Sequence, residues 1–130
     1  MVSATSTDER LSDLRDALDA ARAAWSSEGE VFLETGLSYG DGQPVVVFVR
    51  KRGRNYDIDD RGAAAQKAGK PRGWLEVARG VVREDWLNVN RAGVVFVGSF
   101  EGRDVASLAL RIGDCSLAVY GALLEYRDDH

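Results

Sequence analysis

Three carboxylates, Asp57, Asp59 and Asp60, lie close together at the end of a predicted strand, and Asp41 lies in the turn before the preceding strand. Hard divalent cations take several oxygen ligands, so these residues are candidate metal ligands of a metal-dependent hydrolase. In the alternative, structural interpretation, Asp60 caps the following helix while Asp57 and Asp59 alternate onto a solvated strand face. We favour the structural interpretation because no EF-hand spacing is present.

A basic run precedes these carboxylates, and Lys and Arg contact phosphates in nucleic-acid complexes. Residues 50–72 contain eight Lys or Arg residues and three Asp residues, in a chain of net charge −4. Only Tyr56 and Trp74 supply aromatic rings nearby, and a solvated edge strand has a similar composition. The candidate nucleic-acid-binding residues are Arg50, Lys51, Arg52 and Arg54, followed by Lys67, Lys70 and Arg72.

Residues for nucleophilic or cofactor chemistry are few. The one histidine, His130, is the last residue, and the one cysteine, Cys115, lies on an apolar helical stripe that predicts a buried thiol. A Ser-His-Asp or Cys-His arrangement cannot be assembled from these residues. The segment from Gly36 to Gly42 lacks the Lys-Ser/Thr pair and the helix of a phosphate-binding loop. We therefore expect no catalytic residues and no cofactor.

Hydrophobic periodicity and turn residues indicate the elements that position these side chains. Leu14 and Leu18 belong to a helical apolar stripe, and Gly29 is predicted to end that helix. The apolar run 45–49 follows Pro44 and predicts a strand covered on both faces. The predicted elements are a helix at 8–27, strands at 31–39, 45–51 and 56–58, helices at 63–68 and 74–86, strands at 87–90 and 94–100, and a helix at 105–126.

The segment 105–112 is ambiguous in sequence. Val105, Leu108 and Ile112 recur at helical spacing, whereas Leu108, Leu110 and Ile112 also alternate as in a strand. We favour the helix, which gives the order α-β-β-β-α(α)-β-β-α. Since neighbouring strands usually pair, this order predicts an α+β fold with a mainly antiparallel five-stranded sheet and flanking helices.

Three residues are predicted to be structural. Asp60 lies at the junction between a predicted strand and the following helix, so its carboxylate can accept hydrogen bonds from free helical N–H groups. Gly62 allows a tight turn at the same place. Trp74 is predicted to lie in the core or at its rim, as are Trp25 and Trp86.

The chain from about Gly42 to Arg127 resembles the uncharacterised bacterial and phage domain of unknown function (DUF) 1828 family. The resemblance rests on an apolar strand, a turn, and the signature Ile58-Asp59-Asp60-Arg61-Gly62, with Tyr56 two residues earlier. Arg61 stands where a second acid is common in that family, and Asp59 where a hydroxyl residue is common. The element order is also similar to the type III secretion chaperone-like fold, which implies a homodimer that binds protein segments.

Composition limits the class of protein. A chain of 130 residues fits one domain, which we place at 8–130 after a disordered tail at 1–7. One cysteine fits a reducing compartment, and the N-terminus lacks the apolar core of a signal peptide, so we expect a bacterial cytoplasmic protein. No apolar run approaches the ~20 residues of a membrane span, so we expect no membrane partner.

The leading functional hypothesis is a small, non-enzymatic protein-binding module that forms a homodimer. An edge strand and a Trp-rich helical face in so short a chain would be hidden by two-fold symmetry. The first alternative is a nucleic-acid-associated protein of a phage or mobile element that uses the basic segment 50–72. The second alternative is the metal-dependent hydrolase at Asp57, Asp59 and Asp60.

Overall fold

The computed structural model describes residues 7–21, 28–101 and 105–129. It confirms the α+β class and the predicted order of elements. Trp25, His130 and residues 1–6 of the predicted tail lie outside the described residues, whereas Thr7, the last residue of that predicted tail, begins the first helix. The elements are α1 (Thr7–Ala21), β1 (Glu28–Ser38), β2 (Pro44–Arg52), β3 (Asn55–Asp59), α2 (Ala63–Ala68), α3 (Trp74–Glu84), β4 (Asn88–Val89), β5 (Val95–Glu101) and α4 (Val105–Asp129).

The five strands form one antiparallel sheet in the order β1-β2-β3-β5-β4. Two hairpins join the first three strands, and both turn where the sequence places Gly. Gly42 has φ +86° in the β1–β2 turn, in which Tyr39 N donates to Gln43 O at 2.9 Å, and Gly53 has φ +60° between β2 and β3. Glycine populates these left-handed conformations without the steric cost that a Cβ imposes.

The second strand is covered on one face only, which corrects the prediction that both of its faces are buried. Val45, Val47 and Val49 are fully buried, whereas the intervening Val46 and Phe48 are half-buried. Alternation places these two sets on opposite faces of the sheet. An uninterrupted apolar run therefore does not mark a strand between two layers here.

The long helix α4 is the centre of the core. It contacts β1, β2, β3 and β5, and α1, α2 and α3 each pack against it. Segment 105–112 is thus helical, as the favoured interpretation predicts. By length and apolar composition α4 could cross a membrane, a property shared by the central helix of a globular core, and 50% of its most apolar window is buried.

One prediction at an element end is wrong, and another lies partly outside the described residues. Gly29 lies inside β1, where it pairs with Lys51, while residues 22–27, which complete the predicted first helix, lie outside the described residues. Trp86 is 89% exposed at φ +60°, in the turn after α3, rather than on a buried helical face. In contrast, Leu14 and Leu18 are buried as the apolar stripe of α1 predicts.

Candidate functional site: the uncovered face of the sheet

The face of the sheet opposite α4 carries a row of aromatic side chains. Cross-strand pairing joins Phe32 to Phe48, Phe48 to Asp59, Asp59 to Phe96, and Phe96 to Asn88. Paired residues project to the same face, so this row crosses all five strands. Phe32 is 69% exposed, and its ring centroid lies 6.3 Å from that of Phe48. We call this surface the open face.

A second row on the open face carries charges of alternating sign. Glu30 on β1 pairs with Arg50 on β2, and Arg50 pairs with Asp57 on β3. An Arg50 guanidinium nitrogen lies 3.2 Å from a Glu30 carboxylate oxygen. The charged row runs parallel to the aromatic row, two residues before it on β1 and β3 and two residues after it on β2.

Arg61 adds a cation above the aromatic row. Its guanidinium carbon lies 4.1 Å from the centroid of the Phe48 ring, and it forms an ion pair with Glu30. The backbone of Arg61 is left-handed at φ +58°, and Gly62 follows at φ +78°. Asp59 Oδ1 accepts a hydrogen bond from Arg61 N at 2.7 Å and so holds this turn. A left-handed arginine costs about 1–2 kcal/mol, and such strain is typical of functional positions.

Two hollows open on or beside the open face. One, of about 360 Å³, lies beside Phe96 and is lined by the carboxylates of Asp57 and Asp59, by Asn90, and by apolar atoms of Val94 and β5. The other, of about 310 Å³, lies where α2 meets the strand residues Val46 and Phe48. At the rim of this second hollow, Lys67 forms an ion pair with Asp41 at 2.9 Å.

On the α4 side of the sheet, Asp60 is fully buried, and both of its carboxylate oxygens accept hydrogen bonds. Its Oδ1 accepts hydrogen bonds from Gly62 N at 2.8 Å and Val95 N at 2.9 Å. Its Oδ2 accepts one from Ser116 Oγ at 2.6 Å, and Ser116 Oγ lies 2.8 Å from the Tyr39 hydroxyl. Since Ser116 donates its proton to Asp60, Tyr39 is the donor to Ser116. The chain of donors therefore links the β1–β2 turn to α4 and β5.

Burial has the largest effect on the pKa values of the side chains in and beside this hydrogen-bonded chain. It raises the pKa of Tyr39 to about 12 and raises the pKa of Asp60 above its ordinary value, against the hydrogen bonds from Ser116 and from the backbone amides of Val95, Gly62 and Ala64. Ser116 and Asp60 are 0% exposed and Tyr39 is 2% exposed. Burial likewise raises the pKa of the Cys115 thiol to about 12, as expected for a buried thiol. The arrangement can tie three elements together, but solvent does not reach the Ser116 hydroxyl.

The three candidate metal ligands do not converge. Asp57 and Asp59 lie on the open face, while Asp60 points into the core toward Ser116. Burial raises the pKa of Asp59, and a hydrogen bond from Lys67 lowers the pKa of Asp41. Within residues 7–21, 28–101 and 105–129, no three His, Cys, Asp or Glu residues form a group that could hold a metal ion.

The predicted capping role of Asp60 is also corrected in detail. The N-cap of α2 is Gly62 rather than Asp60, and Gly62 has no side chain that could cap the helix. Asp60 instead accepts from the Gly62 amide, while its carbonyl oxygen accepts a hydrogen bond from Ala63 N at 3.1 Å. Trp74 packs half-buried against the core at the start of α3.

The basic segment does not form one patch. Strand alternation separates Arg50, on the open face, from Lys51, and Arg54 is exposed in the β2–β3 turn. The side chain of Arg52 lies outside the described part of the chain. Further along the chain, Lys67 forms an ion pair with Asp41. Lys70 Nζ lies 5.3 Å from a ring centroid of Trp74, and Arg72 is exposed.

Sequence reasoning missed the residues that make the open face distinctive. Phe32, Phe48 and Phe96 come from three strands that are distant in sequence, so only the register brings them together. A signal for Phe48 was present, because it alternates with Val47 and Val49 along β2. In sequence, Arg61 is distinctive only as a departure from a family pattern, and its left-handed backbone conformation has no signal in the residue type.

Comparisons of the chain with protein-family models, with curated proteins and with solved structures found no match.

Proposed function

We propose that this chain is a small, non-enzymatic protein-binding module that forms a homodimer through the open face. The observation that carries the proposal is the exposure of Phe32 in a row with Phe48 and Phe96, on a sheet face that no helix within residues 7–21, 28–101 and 105–129 covers. Aromatic residues are enriched at the cores of protein interfaces. Burying one phenylalanine side chain contributes about 1.5–3 kcal/mol.

The buried hydrogen-bonded chain supports a non-enzymatic role. A nucleophilic serine must reach its substrate and an adjacent base. Ser116 donates to Asp60 inside the core and is fully buried. This chain of hydrogen bonds is therefore assigned to folding, and the open face to binding.

A second candidate function is binding of single-stranded nucleic acid. Aromatic residues on an open sheet face stack on bases in several RNA-binding modules, and Arg50 and Arg61 lie among them here. Both arginines pair with Glu30, however, and Asp59 lies between Phe48 and Phe96. These carboxylates oppose a phosphate backbone, so we place protein binding first. Titration with labelled oligonucleotides at low and high salt would detect the alternative as salt-sensitive binding by the parent.

Light scattering of the parent and two matched variants tests the proposed homodimer. We expect the parent to show a dimer mass at concentrations above micromolar, and Phe32→Glu to show a monomer mass, because a buried unpaired carboxylate opposes association. Trp86→Glu is the control, since Trp86 is even more exposed but lies in the turn after α3, outside the aromatic row. A monomeric parent, or equal behaviour of both variants, would contradict the proposal.

A further inference from the structure

We infer that the two copies pack open face to open face about one particular two-fold axis, which lies in the interface, parallel to the strands and between β2 and β3. This inference rests on the proposed function and specifies how the second copy binds. Such an axis places β2 of one copy over β3 of the other, and β1 over β5. The axis leaves the position of each residue along its strand unchanged and reverses the order of the strands. Each row of cross-strand neighbours in one copy therefore faces the same row of the other copy, read from the opposite edge of the sheet.

Charge complementarity selects this axis. In the charged row, Arg50 faces Asp57 of the second copy, and the symmetric pair forms at the same time. In the aromatic row, Phe48 faces Asp59 of the second copy, and the Arg61 guanidinium that lies over Phe48 meets that carboxylate. Among the described side chains, Arg50, Asp57 and Asp59 of this face, together with Arg61, thus approach groups of opposite sign.

Neighbouring axes bring like charges together. An axis centred on β2 would place Arg50 against Arg50 of the second copy. An axis centred on β3 would place Asp57 against Asp57, and Asp59 against Asp59. Antiparallel edge-to-edge pairing of β1 with β1 of the second copy, centred on Phe32, would place Glu30 of one copy opposite Glu34 of the other. Like charges placed directly opposite one another destabilise each of these arrangements.

Shape agrees with the same axis. Phe32 protrudes from β1, and the hollow of about 360 Å³ lies beside Phe96 on β5. Because β1 of one copy lies over β5 of the other, each Phe32 ring enters the hollow of the second copy. The apolar atoms of Val94 and Phe96 then cover the ring, while the carboxylates of Asp57 and Asp59 remain toward the arginines.

The size of the face indicates a weak dimer. The axis overlays four strands of each copy, β1, β2, β3 and β5, and leaves β4 outside the overlap. Four strands ~4.8 Å apart are ~19 Å wide, and seven residues at ~3.3 Å each are ~23 Å long, so the overlap covers ~440 Å² in projection. Stable interfaces bury about 800 Å² per partner, and smaller ones are transient. We therefore expect a dissociation constant on the order of micromolar.

Charge reversal tests the axis. Arg50→Asp and Asp57→Arg each place two like-charged pairs in their own homodimer, so we expect each alone to dimerise about tenfold or more weakly than the parent in sedimentation velocity. An equimolar mixture has two opposite-charge pairs in the heterodimer, and we expect its association to return to the parental range. The double variant carrying both changes should also return to that range. Arg54→Asp, in the exposed β2–β3 turn, is the control and should dimerise like the parent.

The outcomes separate this inference from the proposed function. If the parent is a dimer but mixing the two variants, each shown to be folded by circular dichroism, restores no association, the axis is wrong and the homodimer stands. The axis is equally overturned if both single variants dimerise like the parent. If the parent itself is monomeric, that result contradicts the proposed homodimer, and the axis falls with it. Restoration in both the mixture and the double variant supports the axis.

Discussion

Asp60 shows how one buried side chain can be required by residues far apart in the sequence. Its carboxylate accepts from Gly62, Val95 and Ser116, and the last two lie 35 and 56 residues away. Burying a carboxylate is unfavourable unless donors surround it. In this protein the donors come from the turn before α2, from β5 and from α4, so Asp60 forms its bonds only when these three elements assemble.

Substitution of Asp60 distinguishes acceptor geometry from charge. We expect Asp60→Ala to lower the free energy of unfolding by about 3 kcal/mol, because three buried donors lose their acceptor. Asp60→Asn should stay within about 1 kcal/mol of the parent, since its oxygen can accept from Gly62 and Val95 while its amide donates to Ser116 Oγ. Urea denaturation measures both differences. Equal losses for Ala and Asn would show that the negative charge, rather than the acceptor geometry, is required.

The raised pKa of Asp60 predicts a pH dependence with a defined sign. Because the folded state holds this proton more tightly than the unfolded state, whose pKa is near the ordinary 3.8, Asp60 contributes most to stability below that value. The contribution falls as pH rises through the folded pKa. We expect the stability of the parent relative to Asp60→Asn to decrease as the pH rises above the ordinary pKa of 3.8. A relative stability that increases with pH would contradict the direction of the shift.

At the scale of elements, the close approach of α4 to β1 depends on a missing side chain. A Cβ added at Gly113 would lie 2.6 Å from Thr35 Cγ2. Thr35 is buried, and its hydroxyl donates to Val45 O at 2.9 Å, so it cannot move aside without losing that bond. Arg10 joins the same region from α1, donating to Thr35 O at 3.1 Å and pairing with Asp114 at 2.7 Å.

Two glycines of α4 should therefore respond in opposite directions to alanine. We expect Gly113→Ala to lower the free energy of unfolding by about 1–3 kcal/mol, because overpacking forces the helix away from Thr35. Gly121 has no atom within 4 Å of an added Cβ, so Gly121→Ala should raise stability by up to about 1 kcal/mol through helix propensity. Thermal denaturation of both variants measures the contrast. Destabilisation of similar size at both positions would contradict the prediction, because it would show that the contact with Thr35 is not what makes Gly113 sensitive to alanine.

At the scale of the whole molecule, the described part of the chain forms one sheet with one layer of helices on one of its faces. The opposite face exposes Phe32 and carries Glu30, Arg50, Asp57 and Arg61 in a pattern that complements itself. A second copy would supply the missing layer and convert an open two-layer domain into two sheets packed face to face. The net charge of −4 per chain opposes association at long range, whereas the alternating row favours it at contact.

The sequence by itself determined the element order, the α+β class and most turn positions. These depend on neighbours in the chain, since the periods of two and 3.6 residues and the positions of glycine are local properties. Tertiary structure alone decided that one face of β2 is uncovered, that Asp60 points toward Ser116 while Asp59 points outward, and that Trp86 is exposed. A strand with Val on one face and Phe on the other has the same apolar run whether one layer or two cover it. Only the packing of distant elements settles which face remains open.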